Sequence, residues 1–164
     1  MEFFFYKIKC QYNGYDYGGW QFQTNGKRTI QADFNRILAK IAKTTEENVK
    51  TVSSGRTDTG VHALAQIIRV KMPLDIPVIA LKKALNGLCS DEIRIIDIEK
   101  VYEKFHPLRN TAWKEYQYLF CEREYIDPFN KELIVGLKNI GDARRMIAAA
   151  KFFEGNHDFA DFRC

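Results

Sequence analysis

Ser53-Ser54-Gly55-Arg56-Thr57-Asp58-Thr59-Gly60-Val61-His62-Ala63 is a polar run between two β-rich segments. Val49 to Ser53 leads in with β-branched residues, and Ala65 to Met72 leads out through Ile67, Ile68 and Val70. The spacing predicts two strands joined by a tight loop. Gly55 and Gly60 bracket the charged pair and permit backbone angles that other residues resist. A loop held at both ends by strands can fix a carboxylate in space, as a catalytic group requires. Asp58 is therefore the candidate catalytic residue, with Arg56 two positions before it. The same residues also fit a plain turn, in which Asp58 accepts from nearby amides and Arg56 pairs with it at the surface.

Outward from this loop, the hydrophobic pattern changes period four times. Phe3 to Tyr12 alternates, with Tyr6, Ile8 and Cys10 on one face and Lys7 and Lys9 on the other, which predicts a half-buried strand. Thr29 to Ala42 carries Ile30, Phe34, Ile37, Leu38 and Ile41 at helical spacing. Pro73 and Pro77 mark a turn before a second helix over 76–88, and Ile93 to Val101 reads as a fourth strand. The order is the β-α-β-β-α-β pattern of a ferredoxin-like α+β domain. An antiparallel sheet follows, with both helices on one face and the other face free for a ligand. That topology serves many functions, so the site must carry any claim.

With 164 residues, of which 46% are hydrophobic, the chain can bury a core. Its formal charge of +4 leans towards anionic partners. The basic excess is local: Lys27, Arg28, Arg36, Lys40 and Lys43 face a single acid, Asp33. A solvated helix face and a nucleic-acid contact are both consistent with it. Cys10, Cys89, Cys121 and Cys164 are scattered without zinc-ligand spacing, so they read as reduced thiols in a cytosolic, cytoplasmic protein. No run approaches a membrane span, and the start lacks the features of a secretory leader.

Two further stretches are rich in aromatics. Tyr12-Asn13-Gly14-Tyr15-Asp16-Tyr17-Gly18-Gly19-Trp20-Gln21-Phe22-Gln23 is an irregular loop that could pin itself to the domain or stack on bases. Phe105-His106-Pro107-Leu108-Arg109-Asn110-Thr111-Ala112-Trp113-Lys114-Glu115-Tyr116-Gln117-Tyr118 breaks at Pro107, and alternation resumes from Tyr116 to Cys121 as a strand. A third helix is expected from Asp142 to Phe153. The chain closes on Gly155-Asn156-His157-Asp158-Phe159, where His157 and Asp158 read as organisers of a helix-to-loop junction.

GRTDTGVHA resembles the GRTDAGVHA signature of the TruA-type tRNA pseudouridine synthases, with Thr59 in place of alanine. YNGYDYGGWQFQ resembles that family's Y-D-G-x-x-Y-x-G-W-Q-x-Q segment, and Arg28-Thr29-Ile30-Gln31 its helix entry. Gln66 falls on the glutamine of H-A-x-x-Q. The stretch around Tyr116 resembles F-H-A-R-F-S-A-x-x-R-x-Y-x-Y, with Arg109 one place later than the family's arginine.

The resemblance implies a tRNA pseudouridine synthase that turns uridine into pseudouridine in the anticodon arm, with tRNA as partner, as a homodimer, and without metal or organic cofactor. It makes Asp58 the catalytic residue, and Tyr116 and Arg56 substrate-binding residues. Lys27, Arg28, Tyr17, Trp20, Gln21 and Arg109 become possible RNA contacts. It divides the chain into a ferredoxin-like domain, 1–108, and the incomplete start of a second half-domain, 109–164, and so implies poor activity for these 164 residues alone. The alternative from another class is a non-catalytic RNA-binding domain.

Overall fold

The computed structural model describes residues 2–24 and 26–162. Met1, Asn25, Arg163 and Cys164 lie outside the described residues, so the expectation for the fourth cysteine lies there too. The chain divides at Lys114/Glu115 into two compact units.

In the first unit, β1 (Phe4–Tyr12), α1 (Ile30–Ile41), β2 (Lys50–Ser53), β3 (Ala63–Met72), α2 (Val78–Leu88) and β4 (Ile93–Lys100) follow in order. The sheet runs β2-β3-β1-β4, and every neighbouring pair is antiparallel. The ferredoxin-like reading is borne out. Alternation along β1 buries Tyr6, Ile8, Cys10 and Tyr12, and the register sets Tyr6 opposite Val70 and Ile8 opposite Ile68. These residues form one core with Phe34, Leu38, Leu81 and Leu85 from the helices. Burying side chains of this kind drives folding by about 1.5–3 kcal/mol each.

Local signals set the helix limits. The Thr29 hydroxyl caps α1 by accepting from Ala32 N at 3.3 Å. Helix α2 starts two residues later than the pattern predicted, because Pro77 is extended at ψ 133°. The sheet face opposite the helices is less free than expected. Beyond β4 the chain doubles back, with Val101 N donating to Phe5 O at 3.0 Å, and Lys7 Nζ lies 5.9 Å from the Phe105 ring. Cys10, Cys89 and Cys121 are free thiols.

The second unit holds β5 (Phe120–Glu122) and β6 (Val135–Leu137), paired in parallel, and α3 (Ala143–Ala150), capped by Asp142. The strand expected from Tyr116 starts only at Phe120. A strand needs a ladder, and among the described residues of this segment only Phe120 to Glu122 find one. None of the unit's described residues is buried.

Phe34→Ala should lower unfolding stability by about 3–5 kcal/mol, because it empties the centre of the shared core. Exposed Ile147→Ala should change it by less than about 0.5 kcal/mol. Urea midpoints for the two variants check the contrast.

Candidate active site

Loop 54–62 prolongs the β2–β3 ladder for one step, with Ser54 N donating to Ile67 O at 2.8 Å, and then leaves the sheet. It does not stand alone. Loop 13–23 lies against it and bonds to it three times. Trp20 N donates to Thr57 O at 2.9 Å, Gly60 N to Tyr17 O at 3.2 Å, and Gly14 N to His62 Nδ1 at 3.2 Å. The last bond requires His62 Nδ1 to be the unprotonated ring nitrogen.

Glycine makes this approach possible. A Cβ on Gly19, where φ is +97°, would stand 2.6 Å from Thr57 O, and one on Gly14 would collide with the Val61 carbonyl. Gly60, at φ +78°, takes the left-handed turn that the sequence predicted. Gly55 does not. Its φ is not left-handed, and a Cβ there would meet only Gln66 Oε1, at 4.0 Å.

Beneath the loop runs a chain of polar side chains. Gln66 Nε2 donates to Gly55 O at 2.7 Å and to the Tyr12 hydroxyl at 3.3 Å, Gln66 Oε1 accepts from Ser54 Oγ at 2.8 Å, and Tyr12 Oη lies 2.9 Å from Thr57 Oγ1. Above it, Asp58 and Arg56 are exposed. Among the described residues neither side chain makes a hydrogen bond or ion pair. The surface Arg56–Asp58 pair is therefore not formed.

A second acid is used differently. Asp33 is buried, and its carboxylate accepts from Arg28 Nε at 2.9 Å, Arg36 Nη2 at 3.1 Å and the Tyr17 hydroxyl at 3.1 Å. The Arg28 guanidinium lies 4.3 Å over the Tyr17 ring. Burial, with Asp33 adding to it, pushes the Tyr17 phenol up to about 12, against the lowering bond with Ser90. A shallow groove of about 230 Å³ opens here, lined by Tyr15, Asp16, Lys27, Arg28 and Thr59 among others.

The remaining candidates divide by exposure. Tyr17 and Trp20, expected to contact RNA through their rings, are each 1% exposed; Trp20 packs 6.1 Å from Phe34 in the core. In that loop the half-exposed aromatics are Tyr15 and Phe22, which the sequence reading did not single out. Gln21 is exposed and donates to Gln31 Oε1 at 2.9 Å. Arg109 is exposed in a turn closed by its own N–H on His106 O. Tyr116, in the second unit, is 72% exposed, unlike an inward-facing strand tyrosine. His157 and Asp158 bond to Glu154 O and Ala160 N, as junction organisers do. Among the described residues there is no cluster of three potential metal ligands, and no helix is long and apolar enough to cross a membrane.

No protein-family model matches the chain. It is 39% identical over 158 residues to a tRNA pseudouridine synthase A from Bacillus pumilus, covering 95% of this chain and 63% of the relative. It is 37% identical to the protein of the same name from Oceanobacillus iheyensis, at 95% and 61% coverage. The Leuconostoc mesenteroides protein of that name is 35% identical over 161 residues, at 96% and 63%. The chain thus spans about three fifths of the length of these curated relatives.

The raised Tyr17 value fixes the sign of an alkaline effect. The unfolded phenol ionises near 10 and the folded one at about 12, so this contribution to stability is whole below pH 10 and is lost as pH rises to 12. Tyr17→Phe should flatten part of that decline in urea midpoints. Tyr6 and Tyr12, whose phenols burial also raises, should retain the rest.

Proposed function

We propose that this chain belongs to the TruA-type tRNA pseudouridine synthase family and that the whole protein isomerises uridine to pseudouridine in the anticodon arm of tRNA. The observation that carries the reading is Asp58: an exposed carboxylate without a side-chain partner, on a loop bonded along its backbone. The reaction breaks the glycosidic C–N bond, turns the uracil, joins its C5 to the ribose and releases the C5 proton. It needs no redox partner. It needs a fixed, ionised carboxylate beside the nucleoside, acting as nucleophile or as base at the ribose.

The other residues take roles around that group. A uridine must leave its stack first, at a cost of a few kcal/mol. Arg56 then fills the space it leaves or binds its phosphate. Tyr116 stacks on the extruded base. Lys27 and Arg28, with Tyr15, hold the RNA backbone along the groove that ends at Thr59. Gln21 and Arg109 are outer contacts. Residues 1–108 form the catalytic half-domain, and 109–164 begin a second half that packs its apolar side chains in the whole protein. The enzyme acts as a cytoplasmic homodimer that reads the shape of the anticodon arm, so tRNA affinity falls with salt.

Tritium release from tRNA labelled at uracil C5 tests the reading in the whole protein. Asp58→Ala should abolish release and leave tRNA affinity within about tenfold, roughly 1.4 kcal/mol. Undiminished release would sink the assignment. A salt-dependent gel shift with no release from the parent would mark a binding domain instead.

A further inference from the structure

We infer that Gln66 and Tyr12 are positioning residues for Asp58: a buried hydrogen-bonded chain from β3 and β1 sets where the loop presents its carboxylate. The inference rests on the reading of Asp58 as the catalytic group. Its starting point is a polar residue in an apolar position. Gln66 is in phase with Ile68, Val70 and Met72 on the inward face of β3, yet it is an amide and only 6% exposed. A buried amide is costly unless its atoms are bonded.

The partners fix the direction of the bonds that Gln66 makes. A carbonyl only accepts, so the Gln66 atom 2.7 Å from Gly55 O is its NH₂. The same NH₂ supplies its second proton to Tyr12 Oη at 3.3 Å. The Tyr12 hydroxyl then shares a bond with Thr57 Oγ1 at 2.9 Å, in which either hydroxyl can donate. Gln66 Oε1 takes the Ser54 hydroxyl at 2.8 Å. The chain thus grips the loop at Gly55 and at Thr57, on either side of Arg56 and one residue before Asp58.

Arg56 and Asp58 have no side-chain anchors of their own, so this grip acts on their positions together with the bonds from Trp20 N to Thr57 O, Val61 N to Asp58 O and Ser53 Oγ to Gly55 O. If the chain is cut, the Gly55 carbonyl keeps only the Ser53 hydroxyl, at 2.7 Å, and the Thr57 hydroxyl loses its tie to the sheet, while the outer bonds remain. A shift of about 1 Å at a reacting group costs on the order of 10²-fold in rate. A purely space-filling role for Gln66 would instead cost stability and leave the rate of the folded enzyme alone.

Gln66→Met and Tyr12→Phe keep volume and remove the bonds; Thr57→Val and Thr57→Ser remove and keep the hydroxyl. At a temperature where thermal melts show each variant folded, single-turnover pseudouridine formation in the whole protein should fall about 10–100-fold for the first three. Their tRNA affinity should hold within about threefold. Thr57→Ser should keep most of the rate. The Gln66→Met/Tyr12→Phe double variant should be little slower than the worse single, because both cut one chain. Unchanged rates in folded variants, or losses that multiply, would overturn the inference.

Amide exchange on the 164-residue chain supplies a readout that needs no reaction. Gln66→Met should speed exchange at Trp20, Gly60 and Val61, whose N–H groups bond across or within the loops, and leave Ile68 and Val70 protected. If the parent enzyme makes no pseudouridine, the functional reading fails while exchange still judges the grip. Unaltered exchange at those three amides would refute it.

Discussion

The site depends on two irregular loops held back to back by main-chain bonds, with Trp20 N on Thr57 O at the centre. Neither loop has a ladder of its own over this stretch, and each satisfies polar groups of the other. The contact exists only because Gly14 and Gly19 remove the side chains that would fill it. The first loop is fastened in turn to α1. Ile30 N and Gln31 N, among the first helical amides, have no partner inside their helix and donate to Gly19 O and Trp20 O. Gln31 then reaches across to the Thr51 carbonyl on β2 at 3.1 Å. Helix start, aromatic loop, loop 54–62 and strand make a closed circuit, and Asp58 is carried on it.

Two carboxylates in this region have opposite surroundings. Asp33 is buried and bonded to two guanidinium groups and a phenol, so its charge is compensated and its oxygens are satisfied inside the fold. It holds Arg28 over the Tyr17 ring at the edge of the groove. Glu92 lies 4.0 Å from the same Arg28 guanidinium, and Asp16 lines the groove beside Lys27 and Arg28, so both signs of charge meet at this edge. Asp58 has no such partner. Its placement comes from the bonds that hold its loop, and its carboxylate stays exposed.

Much of this was legible in the sequence, because periodic segments declare which side faces in. The alternation of β1 and β3 and the helical stripe of α1 needed no further information. The loops have no period, so nothing in the order of residues told that Tyr17 and Trp20 turn inward while Tyr15 and Phe22 turn out. Gly55 and Gly60 look alike in sequence, but only Gly60 takes the left-handed turn. The strand forecast at Tyr116 failed for a related reason, since alternation gives a strand's face and not its partner. Gln66 did leave a signal. A polar residue in phase with Ile68, Val70 and Met72 is the kind of exception that marks a buried hydrogen-bonding task.

A loop bonded along its backbone that carries an exposed acid suits the proposed action on RNA. A carboxylate locked in an ion pair would have to break that pair before acting, and the guanidinium would weaken it as nucleophile or base. An unpaired one has no such pair to break. Its Coulombic reach is short in water, and grows severalfold once a docked nucleotide expels the water and lowers the local dielectric. In the proposed reaction the substrate therefore supplies the desolvation and the protein supplies the position. That division requires the position to be settled before RNA arrives, and the bonds from Trp20, Tyr12 and Gln66 are those proposed to settle it.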